Sequence, residues 1–120
     1  MIKLVMCLRR RPDLTREQFL DYWLNKHGPF FQANAAIMRA KKYVQGHTLD
    51  TPINDGMRTS RGLEPEYDGV AEVWFESEDD LAEAMGSAEM EQLSAALLED
   101  ESNFIDHARS SAFLVREHEF

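Results

Sequence analysis

Five polar residues stand among apolar and aromatic neighbours in a pattern that suits proton transfer: His27, Tyr43, Gln45, His47 and Glu72. Histidine ordinarily titrates near neutrality, so it can serve as both acid and base there. His27 lies in the stretch Tyr-Trp-Leu-Asn-Lys-His-Gly-Pro-Phe-Phe, from Tyr22 to Phe31. Its spacing from Leu20, Trp23 and Leu24 puts it on the apolar face of a helix, near the helix C-terminus. Two readings are open. His27 either caps and packs the helix end, or acts as a general acid/base beside an apolar pocket lined by Trp23 and Phe30.

Tyr43, Gln45 and His47 share one face of a strand by alternation, and Glu72 and Trp74 share one face of another. If both faces turn toward the helices, they form a polar patch in an apolar space. A carboxylate buried there needs a partner, and His47 is the natural one. The expected catalytic set is therefore His27, His47 and Glu72, with Trp23, Phe30, Tyr43, Gln45 and Trp74 contacting substrate. The alternative places these strand faces in solvent or at a subunit interface, with any His–Glu pair structural. Two imidazoles and a carboxylate are also a possible metal set. No His-x-x-x-His or Cys-x-x-Cys spacing supports that, so no metal is expected. Neither a glycine-rich phosphate cradle nor a dinucleotide fingerprint occurs, and no cofactor is expected.

The elements that must position these residues follow from patterning. Ile2 to Leu8 is a short apolar run ended by Arg9-Arg10-Arg11-Pro12 and reads as a strand. Thr15 and Gln18 make a capping box, with Leu14 and Phe19 as its hydrophobic staple. The helix that follows is interrupted at Gly28-Pro29. A second segment runs from Pro29 to about Ala40, with Phe30, Ala33, Ile37 and Ala40 inward. Lys42 to Leu49 reads as a strand, 50 to 67 as a loop and Val70 to Phe75 as a strand. Ser77 caps a further helix that stops at Gly86. Ser87 to Leu98 is helical, Glu99-Asp100-Glu101 an acidic turn, and Ala112 to Glu119 the last strand. This βαββαβ order predicts an α+β, ferredoxin-like domain over residues 1–120: a four-stranded antiparallel sheet with helices on one face. The first strand is apolar on both sides, so the uncovered sheet face calls for a second copy, and a homodimer is expected.

The chain has 120 residues and a net charge of −9, which argues against nucleic-acid and membrane-surface partners. Its one cysteine, Cys7, can form no internal disulfide. The start shows no signal-peptide pattern, so a cytoplasmic location is expected.

The segments MIKLVMCLRRRPDLTREQFLDYWLNKHGP, KKYVQGH, YDGVAEVWFES and FLVREHEF together resemble the EthD-like family. That resemblance implies the dimeric α/β-barrel superfamily. Its members include cofactor-independent polyketide cyclases, quinone-forming monooxygenases, isomerases, decarboxylases and haem-degrading enzymes. The family takes its name from a bacterial ether-degradation system. The matched motif positions are Trp23, His27, Gly28 and Pro29, then Gln45 and His47, then Glu72 and Trp74. The expected function is a cofactor-independent enzyme on a hydrophobic, aromatic or polyketide-like molecule, working by histidine acid/base chemistry as a cyclase, isomerase or dehydratase. The alternatives are cofactor-free oxidation of a phenolic or anthrone-like substrate, and a non-catalytic ligand-binding protein of an ether or aromatic degradation system.

Overall fold

The computed structural model describes residues 1–120. Its strands are β1 (Ile2–Leu8), β2 (Lys42–His47), β3 (Gly69–Phe75) and β4 (Ser111–Val115). Its α-helices are α1 (Arg16–Tyr22), α2 (Gly28–Asn34), α3 (Pro52–Arg61), α4 (Glu78–Met85) and α5 (Ala88–Glu101). A π-helical turn, Trp23–His27, joins α1 to α2, and a single 3-10 turn spans His107–Arg109. The strands form one antiparallel sheet in the order β2-β3-β1-β4. This is the ferredoxin-like arrangement that the element order predicts.

Local chemistry explains the helix starts. Thr15 accepts from the Gln18 backbone N–H while the Gln18 side chain accepts from the Thr15 N–H, closing the capping box. Ser77 caps α4 and Ser87 caps α5 by single bonds, their hydroxyls accepting from the Asp80 and Met90 backbone N–H. The stretch 50–67, expected as a loop, contains α3 instead. Thr51 caps it, Pro52 opens it, and Gly62 ends it in the left-handed conformation at φ 64°. No residue of α3 is buried, so packing left no apolar stripe to announce it.

Gly28-Pro29 does not break the helix. The π turn carries the chain through it, and His27 and Gly28 both keep right-handed helical dihedrals. Phe19, Trp23, His27 and Phe31 are all buried, at a strict four-residue repeat. On an α-helix each such step overshoots a full turn by about 40°. The wider π turn takes up that drift and keeps all four residues on one face. The inward residues beyond it are consequently Phe31, Ala35 and Met38, one, two and one positions later than the expected Phe30, Ala33 and Ile37. Phe30 and Ile37 pack at the margin of the core, while Ala33 is exposed.

Candidate functional site

The sheet register decides which strand residues face the helices. Cross-strand partners lie on the same face of a sheet. Gln45 pairs with Ala71 and Tyr43 with Val73, whereas Val44 pairs with Glu72 and Lys42 with Trp74. Ala71, Val73 and Phe75 are buried beneath the helices. Glu72 and Trp74 therefore occupy the opposite face, away from His27 and His47. Glu72 accepts from Lys3 Nζ at 2.6 Å, and the Trp74 indole N–H donates to Glu117 at 2.5 Å. Lys3 and Lys42 both lie against the Trp74 ring. The three-residue set of His27, His47 and Glu72 does not assemble, and Trp74 lines no pocket shared with His27. The cause is burial: Ala71, Val73 and Phe75 have more to gain from the helix side than a carboxylate that finds a lysine outside.

On the helix side, a cavity of about 350 Å³ lies between sheet and helices. Its floor carries Leu4, Met6, Ala71 and Val73, and its walls carry Trp23, Phe31, Met90 and Leu97. Met85 and Leu114 line it and are also exposed, so it opens to solvent on their side. Three groups bring polar chemistry to this apolar space: His27, Tyr43 and Glu101.

His27 is 6% exposed and packs beside the rings of Phe31 and Phe104. Its Nδ1 lies 2.7 Å from Asp100 Oδ2. A carboxylate accepts, so in the neutral ring the proton sits on Nδ1 and the bare lone pair on Nε2. No protein group bonds Nε2. Asp100 is itself fixed, because Tyr22 donates its hydroxyl to Oδ1 at 2.7 Å and Asn103 donates to the Tyr22 oxygen at 3.0 Å. Burial and the Asp100 carboxylate raise the Tyr22 pKa, which keeps that proton on the phenol. The arrangement is a histidine–carboxylate dyad with a second layer of support.

Tyr43 is held from the strand side. Gln45 Nε2 donates to the Tyr43 oxygen at 2.8 Å and to the Trp23 backbone carbonyl at 3.0 Å. Gln45 Oε1 lies 2.7 Å from His47 Nε2, so His47 donates there. With its oxygen already accepting, the Tyr43 hydroxyl proton is free for a guest in the cavity. Burial raises the Tyr43 pKa and keeps it a donor. The Phe31 ring neighbours both groups, its centroid 4.3 Å from that of the Tyr43 ring and 6.3 Å from that of the His27 ring.

His47 does not line this cavity. Its ring stacks on Trp23 at 5.0 Å and 15°, beside a separate surface hollow with Thr15 and Arg16. Burial lowers its pKa, favouring the neutral ring. Of the expected substrate-contacting residues, Trp23 and Tyr43 line the cavity, Gln45 supports them from behind, and Phe31 takes the place expected for Phe30. Sequence reasoning missed Tyr22 as a partner, along with Asp100 and Glu101. The signal for the acidic pair existed: extending the stripe Met90, Leu93, Leu97 by three and four residues lands on Asp100 and Glu101.

Two glycines make the site possible. A Cβ on Gly69 would collide with the Trp23 ring, including Cη2 at 2.9 Å. A Cβ on Gly28 would stand 2.9 Å from Gln45 Nε2 and 3.1 Å from the Trp23 carbonyl oxygen.

Fold and site together define an α+β ferredoxin-like domain whose helix-side cavity holds a His–Asp dyad. The family model for the EthD domain matches residues 11–108, and the chain belongs to that family. No curated protein matches the chain. Solved structures do. An ethyl tert-butyl ether d (EthD) family protein from Bacillus halodurans is similar at TM-score 0.65 and 18% identity, covering 98% of this chain and 99% of that one. An EthD-like protein from Ralstonia eutropha is similar at TM-score 0.64 and 16% identity, covering 96% and 89%. A dimeric ferredoxin-like protein of unknown function from Thermobifida fusca is similar at TM-score 0.57 and 17% identity, covering 97% and 90%.

Proposed function

We propose that the chain is a cofactor-independent enzyme that moves a proton on a hydrophobic, carbonyl-bearing small molecule. The observation that carries this reading is the dyad: Asp100 fixes the His27 tautomer and leaves Nε2 without a protein partner, on a residue that lines the apolar cavity. Nε2 takes a proton from a carbon next to the carbonyl. The Tyr43 hydroxyl donates to the carbonyl oxygen and stabilises the enolate charge as it forms. Return of the proton from His27 to a different atom completes an isomerisation. Attack of the enolate carbon on a second carbonyl of the same molecule forms the ring and leaves an alkoxide, and return of the proton from His27 to that oxygen completes a cyclisation. The cavity's apolar walls select an aromatic or polyketide-like body and limit water.

The test is hydrogen–deuterium exchange at the acidic carbon of an aryl 1,3-diketone and of anthrone, followed by NMR in deuterated buffer. The protein is expected to accelerate exchange, and His27→Ala to remove about 10²–10⁴-fold of that acceleration. Binding without accelerated exchange would overturn the enzymatic reading in favour of a ligand-binding role. Protein-dependent oxygen uptake with anthrone would redirect it to cofactor-free oxidation.

The proposal includes a homodimer through the outer sheet face. Val5, Cys7, Val44 and Val70 lie there with the polar group of Lys3, Glu72 and Trp74, and Phe113 on β4 is 48% exposed. An uncovered sheet face that carries these apolar residues around the Lys3–Glu72 ion pair invites a second copy. Sedimentation equilibrium at micromolar concentration is expected to return twice the chain mass.

A further inference from the structure

At the end of β1, beyond the cavity, the surface carries a second concavity of about 220 Å³ with entirely different walls. Arg9, Arg10, Arg16 and Arg109 line it with Glu66, Asp68, Pro12 and Pro65, and none of its eight lining residues is hydrophobic. Four guanidiniums thus face two carboxylates, a surplus of two positive charges. The chain as a whole has 13 Lys and Arg against 22 Asp and Glu. Such a local inversion of charge is not what solvation of an acidic protein produces by default.

The carboxylates are spoken for. Asp68 is 4% exposed and accepts from the Arg10 backbone N–H, from Arg10 Nη1 and from Arg16 Nε. Glu66 accepts from Arg16 and, from outside the hollow, from Arg58. Two arginines remain without a carboxylate. Arg9 lies over the Tyr67 ring at 4.3 Å and donates to the Pro65 and Glu66 carbonyls, which fix the guanidinium but leave its charge uncompensated. The Arg109 guanidinium has no hydrogen-bond partner in the protein, only its backbone N–H donating to the Asp106 carbonyl. A planar guanidinium offers paired donors that match tetrahedral oxyanions.

We infer that this hollow binds a small dianion of the phosphate or phosphate-monoester class. Arg9 and Arg109 supply the uncompensated charge, and the Arg10–Asp68–Arg16 cluster forms the rigid base. The site is independent of the His27 dyad, and its occupancy does not depend on what the cavity does.

Calorimetry of the full chain against inorganic phosphate and against methyl phosphate, at ionic strength matched with sodium chloride, tests the inference. Saturable one-site binding with a Kd of about 1 mM or tighter is expected for both. The exposed Arg109 guanidinium makes no hydrogen bond or ion pair, so Arg109→Ala should leave the melting temperature unchanged while weakening binding about tenfold, as loss of one charge-assisted pair implies. His27→Ala should bind both anions like the unmodified chain. Absence of saturable binding in the unmodified protein, or equal binding by Arg109→Ala, would overturn the assignment. Binding of inorganic phosphate but not methyl phosphate would restrict the ligand to the free ion.

Discussion

The dyad turns on one proton. The Tyr22 hydroxyl and the His27 Nδ1 each engage a different oxygen of Asp100. In Asp100→Asn, Tyr22 retains its acceptor if the amide oxygen takes the Oδ1 position, which puts the amide NH₂ opposite Nδ1. That amide donates, so Nδ1 must accept and the imidazole proton moves to Nε2, the atom that needs a lone pair. Proton exchange in the substrate is expected to fall about 10²–10⁴-fold with little change in stability. Nitrogen NMR of the His27 ring should report the tautomer change directly, a signature that a purely structural role for Asp100 would not produce. Tyr43→Phe makes the complementary test. It removes the donor to the enolate oxygen but keeps the ring against Phe31, and the rate is expected to drop about 10²–10³-fold. At this scale the sequence disclosed His27, Trp23 and Tyr43 through periodicity. It concealed Asp100, because three consecutive acids read as a solvated turn while α5 in fact continues to Glu101.

The element that places the dyad is the π turn between α1 and α2, and a strand glycine lets it approach the sheet. Trp23 lies flat between His47 and the backbone at Gly69. In Gly69→Ala the added methyl must displace the indole ring or the strand, neither of which is a flexible side-chain end. Overpacking of this kind costs about 1–3 kcal/mol. A lower melting temperature with altered tryptophan fluorescence is expected, whereas Gly56→Ala on α3, whose Cβ meets nothing, should spare the fluorescence. The element order was readable because strands and caps are local signals. The π turn was not, since Gly-Pro locally signals a break and only tertiary packing of Phe19, Trp23, His27 and Phe31 reveals why the helix continues. Strand faces were ambiguous for a related reason. Alternation separates Glu72 from Val73 but cannot say which of them the helices cover; the β2–β3 register and the Lys3 ion pair do.

For the whole molecule, acid is the informative perturbation, because half-buried His47 and buried Asp68 respond to it in separate windows. Burial lowers the His47 pKa from the ordinary 6.5. The unfolded chain therefore takes up a proton there more readily than the folded one. Stability at this group is complete above pH 6.5 and declines as pH falls below it, levelling off once the folded ring also protonates. Asp68 acts lower. Burial alone would raise its pKa, but the Arg10 backbone N–H and the Arg10 and Arg16 guanidiniums outweigh burial and hold it below the ordinary 3.8. Its contribution is present above 3.8 and disappears as pH drops through the folded value. Urea midpoints measured from pH 7.5 to pH 2.5 are expected to decline in two stages. His47→Gln should flatten the upper stage and leave the lower one, while Asp68→Asn should lower the midpoint at pH 7 and shrink the lower stage, to which Glu66 and Glu117, also held low by hydrogen bonds, contribute the rest. Asp68 ties β1, α1 and the start of β3 together through Arg10 and Arg16. The lower stage should thus be accompanied by loss of the sheet signal in circular dichroism, and a purely local transition at that stage would contradict the role given to this cluster.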